Sequence, residues 1–127
     1  MQNQLKSVKI FHEAFRIKIS NKPTLEVSKD ILKLRHSLME EENNEYLKAV
    51  NEGNLIEVAD ALGDMLYILC GTILTHGLQN LIEEIFDEIQ LSNMSKLGYD
   101  GKPIYRNDGK VLKGPNYKKP DIKKILN

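Results

Sequence analysis

Two clusters of acids stand where apolar residues are expected. Glu41-Glu42-Asn43-Asn44-Glu45 is the first; Glu57-Val58-Ala59-Asp60, followed by Asp64, is the second. Lys and Arg are absent from Ala49 through Ser95, so nothing nearby in sequence neutralises the second cluster. Its neighbours are apolar: Leu55, Ile56, Leu62, Met65, Leu66 and Ile68. Carboxylates enclosed by apolar surface are protonated, paired or bound to a metal, because an isolated buried charge is too costly. Several converging carboxylates point to a hard divalent cation, and Mg²⁺ beside a phosphate is its usual setting.

Helices must position these groups. Leu5, Val8, Phe11, Phe15 and Ile19 fall at helical spacing and predict a first helix over 5–19, ended before Pro23. A second helix is predicted from about Ser28 to Ala49, with Ile31, Leu34 and Leu38 on one face and a stop at Gly53. Asn54 and Glu57 have capping-box spacing and open a third helix running to about His76, with Gly77 as its cap. Residues 65–74 are apolar nearly all round, which predicts a central buried helix. Gly63 and Gly71 inside it each cost roughly 1 kcal/mol relative to Ala, a cost that close approach by a helix or ligand would offset. Asn80 and Glu83 repeat the capping spacing and predict a fourth helix to about Lys96. Beyond Gly98, Asp100-Gly101, Asp108-Gly109 and Gly114-Pro115 are turn signals. Ile104–Arg106 and Lys110–Leu112 predict a short hairpin, and Asp121–Leu126 a last helical turn. The expected fold is all-α: a four-helix bundle, residues 1–97, with a basic tail, 98–127, packing on the same domain.

At about 100° per residue, Glu41, Glu42 and Glu45 lie within roughly 60° of Leu38, on the apolar face. A merely solvated acidic face does not fit those angles. Glu57, Asp60 and Asp64 share one stripe of the third helix. An antiparallel hairpin closed at Gly53 brings the two stripes opposite each other. Glu57 equally fits a helix cap, and Asp64 a supporting role through a hydrogen bond to a neighbouring helix or the tail. Glu-x-x-His pairs of a di-iron bundle are missing, since Lys9, Lys33 and Ile73 precede the three histidines by three positions. Phe11, His12 and Phe15 fit either a base pocket or, for the phenylalanines, core, and for His12 an exposed helix surface.

The net charge of zero hides an asymmetry. Residues 1–95 carry nine Lys/Arg against fifteen Asp/Glu, while residues 96–127 carry nine against three. A basic tail often binds nucleic acid. No basic helix or aromatic platform accompanies this one, so a nucleic-acid polymer is not expected, and the tail is read as closing over an anionic ligand of the acidic body. No apolar run long enough for a membrane span and no signal-peptide core are seen, and the single Cys70 permits no intrachain disulfide. These features predict a cytoplasmic protein without a membrane partner.

The pattern Glu41-Glu42-x-x-Glu45…Glu57-x-x-Asp60 resembles the E-E-x-x-E…E-x-x-D signature of the all-α nucleoside triphosphate pyrophosphohydrolases. These are the MazG-like enzymes, dimeric dUTPases and phosphoribosyl-ATP pyrophosphohydrolases. Glu57-Val-Ala-Asp-Ala-Leu-Gly-Asp-Met-Leu-Tyr67 extends the match, as does the tail, Ser92-Asn-Met-Ser-Lys96 through Lys113-Gly-Pro-Asn-Tyr117. The eleven-residue gap between Glu45 and Glu57 is short for that group and leaves little room for a base-recognition insertion. The resemblance implies cleavage between the α and β phosphates of a nucleoside triphosphate, with Mg²⁺, or Mn²⁺ in its place. It implies Glu41, Glu45, Glu57 and Asp60 as metal ligands, Glu42 as general base and Asp64 in support. Asn93 and Lys96, with Arg106, Lys110 and Lys113, become candidates for the phosphates. A homo-oligomer, a dimer above all, and clearance of dUTP or non-standard nucleotides are implied as well. The rival readings are phosphoribosyl-ATP hydrolysis in histidine synthesis and a non-catalytic nucleotide-binding module.

Overall fold

The computed structural model describes residues 1–127 as an all-α protein: α1 (Gln2–Ala14), α2 (Lys29–Asn51), α3 (Leu55–Thr75), α4 (Ile82–Met94) and the short α5 (Ile122–Leu126). It falls into two compact units, Met1–Asn80 and Leu81–Asn127, so contacts group α4 with the basic tail.

The first unit holds α1, α2 and α3. Leu5, Val8 and His12 form the buried stripe of α1. The helix stops at Ala14 rather than near residue 19, because Arg16 takes a left-handed conformation (φ 56°) and Ile17 N–H turns back to the His12 carbonyl. The Ser28 hydroxyl caps α2 by accepting from Ile31 N–H, and the Asn54 side chain caps α3 by accepting from Glu57 N–H. Gly53, at φ 66°, reverses the chain between α2 and α3, and these two helices form the most extensive contact in the unit.

The C-terminal end of α3 is held by the loop after α1. Ser20 N–H donates to the Leu74 carbonyl, the Ser20 hydroxyl to the Thr75 carbonyl and Thr24 N–H to the His76 carbonyl. Helix-end carbonyls that lack intrahelical partners are satisfied this way. Gly77 follows at φ 69°, where a Cβ would collide with the Lys22 carbonyl.

Only the second half of α3 is the buried core helix expected. Cys70, Gly71, Ile73, Leu74 and Thr75 are buried, but Leu66, Tyr67 and Leu69 are exposed, and Leu55 and Ile56 are each 79% exposed. Contrary to expectation, α3 is long and apolar enough to cross a membrane by length and composition, although Asp60 and Asp64 interrupt it.

The expected Asn80 cap of α4 is not used. α4 starts at Ile82 after Leu81, with no side-chain cap bond. The hairpin reduces to one antiparallel bridge, Tyr105 with Val111, around Gly109 at φ 86°. Asp121 caps α5 by accepting from Lys124 N–H, while its own N–H donates to Glu88 on α4.

Candidate functional site

The α2–α3 hairpin sets the geometry of the acids. Glu42 is half-buried; Glu41, Glu45, Glu57, Asp60 and Asp64 are exposed. The apolar-face position expected for three glutamates is therefore kept by Glu42 alone. Its Oε2 is inaccessible to solvent and has no hydrogen-bond partner. Burial pushes the Glu42 carboxyl above the usual carboxylate range, and the charges of Glu45, Asp64 and Glu41 push it further in the same direction. Asp64, assigned only a supporting role on sequence, thus acts directly on Glu42 across the helix pair.

Glu45 and Glu57 line a cavity of about 400 Å³ with Lys48, Ala49, Glu52 and Asn54. Lys48 supplies a cation there that the count of charges after Ala49 did not reveal. Glu57 keeps its place at the cap, its N–H bonded to Asn54. The four residues named as metal ligands are not gathered into one coordination sphere, for no three His, Cys, Asp or Glu side chains are arranged closely enough to hold an ion. What the site offers is oxygen donors only, one of them buried and without a partner, surrounded by like charge. That donor set fits a hard cation, which would relieve the repulsion and draw neighbouring carboxylates together.

The tail candidates belong to the second unit. Lys96 Nζ donates to Asn93 Oδ1 at 2.7 Å, so these two hold each other. Arg106 is paired with Asp108, which also accepts from Lys110 N–H. Lys113 Nζ lies 4.7 Å above the Tyr117 ring, a cation–π contact. Arg106 and Lys113 are therefore committed to local partners, and their spacing in sequence gave no sign of it.

The opposite end of the hairpin carries a feature the sequence reading passed over. Where α1, α2 and α3 meet, Arg35 Nη1 stands 3.5 Å from His12 Nε2, above Gly71. A Cβ on Gly71 would lie 2.6 Å from Nη1 and 2.8 Å from Nε2, so only glycine leaves room for the pair. His12 is 2% exposed, not the surface residue that was one expectation. Burial and the Arg35 charge both lower its pKa. Gly63, by contrast, has nothing within 4 Å of a built Cβ, so only one of the two helix glycines answers to a close approach. Phe11 packs edge-on to Tyr67, ring centroids 5.6 Å apart, and against Phe15, which is 67% exposed and not core. Spacing could have flagged this locus: Arg35 precedes Glu42 by seven residues and Gly71 follows Asp64 by seven.

A profile of the phosphoribosyl-ATP pyrophosphohydrolase family matches residues 8–93, which include Glu41, Glu42, Glu45, Glu57, Asp60 and Asp64. A candidate NTP pyrophosphohydrolase of known structure from Exiguobacterium sp. 255-15 is 25% identical, with a TM-score of 0.46 over 95% of this chain and 90% of that one. An uncharacterized protein of Acanthamoeba polyphaga mimivirus is 52% identical over 40 residues, a match spanning 32% of this chain and 16% of the viral protein.

Proposed function

Because this chain belongs to the phosphoribosyl-ATP pyrophosphohydrolase family, we propose that it is a Mg²⁺-dependent nucleoside triphosphate pyrophosphohydrolase. It cleaves between the α and β phosphates to give a monophosphate and pyrophosphate. One observation carries the reading: a half-buried glutamate, Glu42, has an unpartnered oxygen amid like charges from Glu45, Asp64 and Glu41. Such an arrangement is costly in the free protein and is relieved by a cation arriving with its phosphates. Glu41, Glu45, Glu57, Asp60 and Asp64 are the carboxylates that would hold the cation once drawn together, and the charges of Glu45, Asp64 and Glu41 are the ones that bear on Glu42. When bound, the metal neutralises phosphate charge and orients the chain for in-line attack. Glu42, its carboxyl made more basic than an ordinary carboxylate by burial and by the charges around it, takes the proton of the attacking water.

Leu55, Leu62, Leu66 and Leu69, exposed and on one stripe of α3, support a homo-oligomer as the working state, since an apolar stripe of this kind is costly in water. Clearance of dUTP or non-standard nucleotides is the role this reading favours. Phosphoribosyl-ATP, from which the family takes its description, is the alternative substrate. The lack of a ready-made three-carboxylate site favours a further alternative, a non-catalytic nucleotide-binding module.

The test is product analysis after incubation with Mg²⁺ and a panel of nucleoside triphosphates and phosphoribosyl-ATP. Pyrophosphate with a nucleoside monophosphate is expected. Orthophosphate with a diphosphate would refute the reaction type, and binding without turnover would identify the non-catalytic module.

A further inference from the structure

The Arg35–His12 pair leaves only donors unsatisfied. A guanidinium has no acceptor lone pair, so in this contact His12 Nε2 accepts and the proton of the neutral ring sits on Nδ1. That Nδ1 is inaccessible and no protein acceptor reaches it; the same holds for Arg35 Nε. No carboxylate pairs with the guanidinium. Buried donors without acceptors are costly, and the half-buried Arg35 guanidinium is the member of the pair that a ligand bringing carbonyl oxygens can reach.

Its position narrows the ligand. Arg35 lies two turns from Glu42 on α2, and Gly71 two turns from Asp64 on α3, about 10 Å along each helix. Tyr67 stands between, one turn from both Asp64 and Gly71, with the Phe11 ring against it. Both rings are partly open to solvent. Acids, aromatic rings and the paired donors, in that order along the two helices, suit a nucleotide laid lengthwise, phosphates toward the acids. Aromatic flanks favour the π-face of a base over a phosphate, which would lose hydration there.

We propose that Arg35, backed by His12 over Gly71, is the specificity-determining residue of the nucleotide site, and that it selects bases presenting carbonyl oxygens. Uracil and thymine offer such an oxygen at C4, guanine and hypoxanthine at C6. Cytosine and adenine place an exocyclic amine, a donor, at the corresponding edge, where it would face donors. The inference rests on the acidic end binding the triphosphate, and it makes adenine-containing phosphoribosyl-ATP a poor substrate.

The experiment compares dUTP with dCTP, which differ in one oxygen-for-amine exchange, together with dGTP, dATP and inorganic tripolyphosphate. Full-length wild type, Arg35→Gln and Gly71→Ala are assayed with Mg²⁺ for kcat and KM separately, with helicity and thermal melting as controls. Wild type should favour dUTP over dCTP and dGTP over dATP by roughly 10–100-fold in kcat/KM. Gln offers an acceptor as well as donors, so Arg35→Gln should bring those ratios toward one through KM, with kcat nearly unchanged. Gly71→Ala displaces the guanidinium and should do the same, which keeps the test decisive if Arg35→Gln does not fold. A wild type without base preference, or a preference that survives in both variants, overturns the proposal. So does an equal loss on all four nucleotides and tripolyphosphate, which would make Arg35 a phosphate ligand. If no triphosphate is turned over, the hydrolase reading has failed separately. The inference then stands or falls on calorimetric binding of dUMP against dCMP: tighter dUMP binding that Arg35→Gln abolishes supports it, and equal affinities sink it.

Discussion

The two ends of the α2–α3 hairpin are electrostatic opposites built on the same geometry. At one end Glu42 is half-buried among Glu45, Asp64 and Glu41. At the other, Arg35 leans on the neutral ring of His12 over Gly71, with no acid beside it. A protein optimised for stability alone would bring such opposites together, because an unpaired, partly buried charge is destabilising whichever sign it has. Here two helical turns separate them. The separation makes sense if each end meets a different part of one ligand, and the fold tolerates both costs until that ligand arrives.

The largest expected effect lies at the acidic end. Glu42→Gln should reduce turnover roughly 10²–10⁴-fold, the range for loss of a general base, while nucleotide affinity changes little. A parallel loss of Mg²⁺ affinity, measured by calorimetry, would instead make Glu42 a metal ligand. Asp64→Asn should weaken Mg²⁺ binding; if only Glu57→Gln and Asp60→Asn do so, the cation sits nearer the loop than Glu42.

Metal should also separate the two ends by stability. At a hundred times its dissociation constant, a ligand specific for the folded state adds about 2.7 kcal/mol. Mg²⁺ should therefore raise the melting temperature of wild type and of Arg35→Gln alike, and do so much less for Glu45→Gln/Asp64→Asn. An equal response in all three would place the cation elsewhere.

A pair of glycines in α3 offers the next contrast. Gly71→Ala should destabilise by about 1–3 kcal/mol in urea unfolding, through overpacking against Arg35 and His12. Gly63→Ala meets open space and should stabilise by up to about 1 kcal/mol, the difference in helix propensity. Similar responses at both sites would mean that the guanidinium can leave Gly71 freely, and the cationic end would lose its definition.

The smallest effect is in pH dependence, and the ends differ in sign. Glu42 holds its proton more tightly folded than unfolded, so its contribution to stability falls as pH rises above the ordinary carboxylate value of 4.5. Glu42→Gln should accordingly gain in melting temperature over the metal-free wild type near pH 7 and show no gain near pH 4. His12 has a lowered pKa, so the unfolded chain binds its proton more readily, and stability falls as pH drops through the region just below 6.5. His12→Gln should flatten that part of the curve if the packing survives. A Glu42→Gln gain that is independent of pH would show that its cause is packing and not charge.

Much of this architecture was legible along the chain. Ser28 and Asn54 announce the starts of α2 and α3, and Gly53 and Gly77 mark reversals, because caps and left-handed turns depend on a few adjacent residues. The angles of the acids about each helix were equally accessible, since helical angle is a local property, but of the three glutamates placed on the apolar face only Glu42 is half-buried there. Failures came where distant segments decide. α1 ends early because the chain turns at Arg16 to run against the end of α3, and α4 forgoes the Asn80 cap for a start after Leu81.

The sequence by itself determined an all-α chain, the acids that share a face, and a family signature strong enough to imply phosphate chemistry. The tertiary structure alone decided the register in which the stripes meet. Periodicity gives the angle of each residue about its own axis but not the register in which two helices pair, and that register sets Asp64 against Glu42 and Gly71 beneath Arg35. It also decided that His12 is buried and Phe15 is not, though both lie on one short helix and its cap, because burial depends on what a neighbouring helix covers.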